Sequence, residues 1–219
     1  MPKNLDNYQK KWINSYKVKE LPHWAESLKP SKLAFDFIKL LQKNGIKKGK
    51  VLEAGCGNGR DGFFIAQQGF KVVGIDISPE AINLCKDNKK YFIEKKLIKK
   101  SQVDFLKGNI EKLSFEKDSF VGGYSLGVLH STDLKKSLKE LARVVKKNGI
   151  VMIQMFEKTL FLSSNKENQY YSPKEIKDVL AKLPFIILKF KSGLTIIDHD
   201  KKLGTHKHFS TIIILKKVH

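Results

Sequence analysis

Cysteine is nearly absent from this chain: Cys56 and Cys85 are its only two in 219 residues. Two thiols make no disulfide framework, so the fold must rest on an apolar core, and a reducing compartment is expected. Long apolar runs are missing too. The run "TIIIL" at 211–215 falls far short of the roughly 20 residues that span a bilayer. The opening "MPKNLDNYQKK" carries no apolar stretch of the secretory kind, so a cytoplasmic location without membrane attachment is expected. Internal repeats and low-complexity linkers are also wanting, which leaves one domain as the simplest organisation.

Arginine is scarce in the same way. Only Arg60 and Arg143 stand among 42 basic residues, set against 22 acidic ones, for a net charge of +20. Such a charge raises the question of nucleic acid. Surfaces that read phosphates or bases favour arginine, whose planar fork bonds bidentately. The lysines here are scattered in pairs along the whole chain with no focus. A solvated lysine-rich surface accounts for them, and a nucleic-acid partner is not expected.

What the chain does hold is an alternation of short apolar runs with helical patterns, the sign of a parallel α/β sheet. Strands are expected at "KVLEA" (50–54), "KVVGID" (71–76), 102–108, 119–126, 150–156, 185–190 and 208–217. Helices are expected at 31–43, where Leu33, Phe37, Leu40 and Leu41 share a face, and from Gly59 to about Gln68. A third opens at Ser78-Pro79-Glu80, with a cap, a proline at the first helical position and an acid at the positive dipole end. Leu134, Leu138, Leu141 and Val145 mark a fourth, and 172–183 a fifth. Residues 1–30 read as an N-terminal arm or lid, and 31–219 as the domain itself.

The stretch "VLEAGCGNGRDG" (51–62) joins the first strand to its helix and admits two ligands. Gly57, Gly59 and Gly62 spell the G-x-G-x-x-G of a dinucleotide turn, which would mean a nicotinamide oxidoreductase. Alternatively, Glu53, Gly55, Gly57 and Gly59 form a turn that cradles an adenosyl amino acid. Glycines let backbone approach a ligand in either case, and Asp76, ending the second strand, suits ribose hydroxyls in both. Glu53 favours the second reading. An acid inside a buried strand needs a hydrogen-bonding or cationic partner. A methionine-type ammonium is one, whereas a pyrophosphate would be repelled. Asn109, after the third strand, stands where an adenine amino group is read.

At this point the chain resembles a known family. "VLEAGCGNGRDGFFIAQQGFKVVGIDIS", "GNIEKL", "DSFVGGYSLGVLH" and "RVVKKNGIVMI" look like the successive motifs of class I S-adenosylmethionine-dependent methyltransferases, in the right order, from about residue 30 to 215. The glycine tract is most similar to small-molecule members of the thiopurine and tellurite-resistance types. The resemblance implies a three-layer Rossmann-like fold with a mostly parallel seven-stranded sheet and an antiparallel last strand. It implies S-adenosylmethionine as cofactor, with Gly55 and Gly57 lining its methionine part and Asp76 on its ribose hydroxyls. Ile77 would pack on adenine, Asn109 and Ile110 would lie at its edge, and Ser125 beside the cofactor. The family more often has aspartate where Asn109 stands, and an acid where Val121 stands.

The acceptor side is less legible. Methyl transfer needs alignment and exclusion of water, and a base only if the acceptor is an alcohol or amine. If 191–207 is a connection over the opening, His199, His206 and His208 come from it, with His206 and His208 on one side. His130 follows the fourth strand into the same region. His130, His206 and His208 are therefore candidate bases. Trp12, Trp24, His130, Tyr171, His199 and His206 are candidate acceptor contacts, with Tyr16 in the arm and Tyr170 beside Tyr171. Asp198, His199, Asp200, His206 and His208 match no strong metal motif, and no metal is expected. A small-molecule methyl acceptor is the expected partner. An RNA or protein methyltransferase and a non-catalytic cofactor-binding protein are the other readings.

Overall fold

A computed structural model describes residues 10, 12–17, 25–157, 170–200 and 204–219, and the side chains of that set except those of 196–200 and 204–208. Seven strands form one sheet: β1 (Lys50–Ala54), β2 (Lys71–Asp76), β3 (Val103–Lys107), β4 (Phe120–Leu126), β5 (Val145–Phe156), β6 (Phe185–Asp200) and β7 (Gly204–Lys217). Their order is β3-β2-β1-β4-β5-β7-β6. β1 to β5 run parallel, and β7 lies antiparallel between β5 and β6.

Helices cover both faces, giving the three layers. On one face α1 (Lys32–Lys43), α2 (Arg60–Gln67) and α3 (Pro79–Glu94) pack on the sheet through Phe37, Leu41, Phe63, Phe92, Tyr124 and Met152. On the other, α4 (Leu134–Val144) and α5 (Pro173–Leu180) bury Leu138, Leu141 and Ile176 against Val151 and Ile153. A strand buried on both faces must be apolar without a break, which is why Val51, Leu52 and Ala54 vanish from solvent together. Glu53 is the exception within that run.

Four of these five helices start where the sequence supplies a side-chain acceptor for their free N–H groups. Ser31 accepts from Ala34 N, Ser78 from Ala81 N, Asp133 from Lys136 N, and Ser172 shares a capping box with Glu175. Only α2 starts on a glycine, Gly59, in the left-handed region at φ 81°.

One expectation fails. Residues 191–207 are not a free connection over the opening. β6 continues to Asp200 and β7 begins at Gly204, so most of this segment is paired hairpin, with Ile196 opposite His208 and Asp198 opposite His206. The run "LTII" (194–197) pairs with Ser210 back to Lys207, so both strands satisfy backbone groups that a loop there would leave unpaired. The ladder slips at Ile187/Lys189 and Lys191/Leu194, where bulges re-aim the strand. Among the described residues no helix is long and apolar enough to cross a membrane.

Candidate functional site

The strand order reverses between β1 and β4, and a doubly wound sheet opens its ligand crevice there, at the carboxyl ends. From β1 the chain enters a turn in which Gly55, Gly57 and Gly59 all have positive φ, at 76°, 55° and 81°. Gly55 N and Cys56 N both donate to Ile75 O, which fastens the turn to β2. A side chain on Gly55 would run into Val128, which follows β4. One on Gly57 would lie 2.9 Å from the Tyr16 hydroxyl, so the arm reaches the turn.

Asp76 ends β2 with its carboxylate pinned. Oδ2 accepts from Gly57 N at 3.0 Å and Oδ1 from Ser78 N at 3.0 Å. Each oxygen keeps acceptor capacity toward the crevice. Burial raises its pKa above the usual carboxylate value, and the backbone N–H groups of Ser78 and Gly57 oppose that rise. Ile77 follows, half-buried. After β3, Asn109 Oδ1 accepts from Glu111 N in a local turn, and Ile110 is buried in the core beneath. Ser125 Oγ donates to Ala54 O at 2.8 Å, lacing β4 to β1 just below the glycines.

Glu53 is buried on the α1–α2 face, and its Oε2 has no hydrogen-bond partner among the described residues. It lies against Gly62, where any side chain would collide with it. The third glycine of the dinucleotide pattern is thus the residue that makes room for this carboxylate. Desolvation, then the charge of Asp61, hold the Glu53 pKa well above the usual range. The folded state therefore keeps a proton that the unfolded chain gives up above about pH 4.5, so stability falls as pH climbs from there toward the folded pKa. Glu53→Gln is expected to flatten this fall. Melting temperatures of both proteins from pH 5 to pH 8 check it, and an equal slope in the variant would assign the effect elsewhere.

Beneath the turn, Asp61 holds a network that the sequence did not single out. Its carboxylate accepts from Ser31 N at 2.7 Å, Ser31 Oγ at 2.9 Å and Tyr124 Oη at 3.1 Å. Asn58 Nδ2 donates to Ala25 O and Ser27 O, tying the entry to α1 onto the same turn. Asp61 stands in "GNGRD", where an acid in the first helical turn reads as a favourable dipole contact and nothing more. Its partner Ser31, thirty residues earlier, carries no local signal. The only two cysteines also meet here, with Sγ atoms 3.9 Å apart, both thiols buried and free, and Cys85 Sγ donating to Gly57 O.

On the β4–β5 side four rings gather. His130, buried in the 3-10 turn Leu129–Ser131, lies 4.8 Å from Phe156, 4.8 Å from Tyr170 and 6.5 Å from Trp12, centroid to centroid. Phe156 N donates to His130 Nδ1 at 3.4 Å. Phe156 was not expected from sequence, because the end of an all-apolar strand reads as core. Tyr171 turns away from this group. Its hydroxyl accepts from Leu134 N and donates to Thr132 O, which makes it a cap for α4 rather than an acceptor wall. A tyrosine pair on extended backbone alternates faces, so only Tyr170 joins the rings. Trp24 and the side chains of His199, His206 and His208 lie outside the described residues.

Comparison with known proteins identifies the family and the fold. A family model described as "Methyltransferase domain" matches residues 46–211. An uncharacterized methyltransferase of Schizosaccharomyces pombe is 31% identical over 112 residues, covering 50% of this chain and 72% of that protein. The ubiquinone/menaquinone biosynthesis C-methyltransferase UbiE of Campylobacter jejuni is 25% identical over 181 residues, covering 68% and 72%. Among solved structures, the geranyl diphosphate C-methyltransferase of Streptomyces coelicolor, with Mg2+, geranyl diphosphate and S-adenosyl-L-homocysteine, superposes with a TM-score of 0.71 at 13% identity, covering 96% and 98%. At that identity the likeness speaks for the fold. The chain belongs to the methyltransferase-domain family and is a class I S-adenosylmethionine-dependent methyltransferase.

Proposed function

We propose that this protein transfers a methyl group from S-adenosylmethionine to a small-molecule acceptor by in-line displacement. The observation that carries the cofactor's placement is the glycine turn joined to Asp76 and Glu53. A side chain at Gly55 would strike Val128 and one at Gly59 would strike Phe105, so the turn keeps bare backbone, and Glu53 Oε2 is a buried acceptor with no partner among the described residues. These groups fit an adenosyl amino acid. Gly55 and Gly57 would line the methionine part, and Glu53 would accept from its ammonium, releasing the proton it holds without ligand. Asp76 would take the ribose hydroxyls, with Ile77, Asn109 and Ile110 around adenine.

Bound S-adenosylmethionine supplies an electrophilic methyl on a sulfonium. The chain's own work is alignment and exclusion of water. Ser125, lacing β4 to β1, would hold the floor of the site in register. With adenine toward β2 and β3, the methionine end lies across β1 and β4. The acceptor then approaches over β4 and β5, where His130, Phe156, Tyr170 and Trp12 stand. His130 would serve as base for an alcohol or amine acceptor, and the arm through Trp12 and Tyr16 would cover the opening. A small acceptor also accords with the UbiE relative and with the tract's resemblance to thiopurine and tellurite-resistance types.

Calorimetric titration tests the reading. Wild type is expected to bind S-adenosylmethionine at micromolar concentration and NAD not at all. Asp76→Ala is expected to weaken that binding by about 1–3 kcal/mol, since it strands the ribose hydroxyls and two backbone N–H groups. Unchanged affinity in the variant would remove the ribose assignment. RNA binding that persists at physiological salt with transfer of the label to RNA would replace the small acceptor.

A further inference from the structure

Buried polar atoms in folded proteins nearly always find a partner, and the exceptions ask for a reason. Here Glu53 Oε2, Ser131 Oγ, Gln154 Nε2 and Ser210 Oγ have none among the described residues. All four sit at one rim of the sheet. Glu53 belongs to the methionine end of the cofactor site. Gln154 and Ser210 do not.

Gln154 lies on β5, buried at 7% exposure, directly opposite Leu126 on β4 and Ile212 on β7. Phe156 is two residues on and opposite Ser210, which is 1% exposed. Paired residues share a face, and so do residues two apart, so Gln154, Phe156 and Ser210 point to one side of the sheet. That is the side of α1, because Ile150 and Met152 precede Gln154 on the same alternation and pack there. α1 covers the lower part of β5 and leaves its carboxyl end to the ring group around His130. Gln154 O also accepts from Gly127 N, and its side-chain Oε1 reaches toward Gly127 at the mouth of β4. Strands stand about 4.8 Å apart, so Gln154 is roughly 10 Å along the sheet from the glycine turn. That distance is beyond the methionine and on the acceptor side.

We propose that the Gln154 carboxamide, seconded by the Ser210 hydroxyl, is the specificity-determining hydrogen-bonding group for the acceptor, which is a flat ring bearing an oxygen. The inference rests on the methyltransferase reading and deepens it. The rings of His130, Phe156 and Tyr170 offer faces and edges to a planar molecule. An unpaired buried N–H rejects a purely hydrocarbon ring, because that ring leaves the group stranded, and it accepts a hydroxyl or carbonyl oxygen at hydrogen-bond distance. The same logic makes the amide a cost to the protein without acceptor. Replacing it by an apolar isostere relieves that cost.

The probes are p-cresol and p-xylene, which differ by one hydroxyl in place of one methyl. They are titrated by NMR into the full chain saturated with S-adenosyl-L-homocysteine. Wild type is expected to bind p-cresol at least fivefold more tightly than p-xylene. Gln154→Leu is expected to bring that ratio close to one, leave S-adenosyl-L-homocysteine affinity unchanged and raise the melting temperature. Ser210→Ala, a smaller change, is expected to lower the ratio part of the way. A ratio unchanged in both variants, or no preference in wild type, or binding of neither probe, overturns the proposal while the methyltransferase reading stands. Failure of wild type to bind S-adenosyl-L-homocysteine removes both.

Discussion

Gly55→Ala is expected to lower S-adenosylmethionine affinity by about 30-fold or more. Two separate costs combine. The backbone at Gly55 has φ 76°, a left-handed conformation that burdens a residue with a side chain by roughly 1–2 kcal/mol. The new methyl also overlaps Val128, whose β-branched side chain has few rotamers to retreat into, for about 1–3 kcal/mol. The loop can relieve both only by moving, and movement breaks the bonds from Gly55 N and Cys56 N to Ile75 O. At 1.4 kcal/mol per tenfold, the lower bound of the sum gives the stated loss. The double variant Gly55→Ala/Val128→Ala separates the terms, because it restores room and keeps the backbone strain. Calorimetric affinities near wild type in the single variant would mean that the turn does not approach the cofactor.

Asp61→Ala is expected to be the most destabilising single change in the region, by about 3–5 kcal/mol, because it takes one buried carboxylate away from three donors at once. Ser31 N loses its acceptor outright, and Ser31 Oγ and Tyr124 Oη, 2.9 Å apart, keep only each other. For a chain of this size that corresponds to a fall in melting temperature of about 6–20 °C. Part of the loss is returned through Glu53, since the Asp61 charge is one of the causes that hold the Glu53 pKa high. Tyr124→Phe keeps the ring against Phe37 and removes one donor, so it is expected to cost far less. A fall of less than 2 °C in Asp61→Ala would show that apolar packing alone holds α1 to the glycine turn.

The division of labour around Asp61 explains what could be read early. Strand and helix positions followed from periodicity and caps, because Ser31, Ser78, Asp133 and Ser172 act on N–H groups within three residues of themselves. The β6–β7 hairpin escaped, because its pairing is satisfied by a partner strand rather than by neighbours along the chain, and "KSGLT" looks like a break until the ladder is seen to bulge around Gly193. Tyr171 and Tyr170 were indistinguishable as letters, and their opposite directions depend on where α4 begins.

By itself the sequence determined the α/β class, the strand that feeds the glycine turn, the acid ending β2, and the family. These are local patterns or short motifs whose chemistry needs particular residues at close spacing. The tertiary structure alone decided that Gly62 makes room for Glu53, that Ser31 and Tyr124 share the Asp61 carboxylate, and that His130, Phe156 and Tyr170 form one ring group. It also decided that Gln154 Nε2 is buried with no partner among the described residues. Burial and partnership are properties of what surrounds a side chain, and the surroundings come from residues far away along the chain.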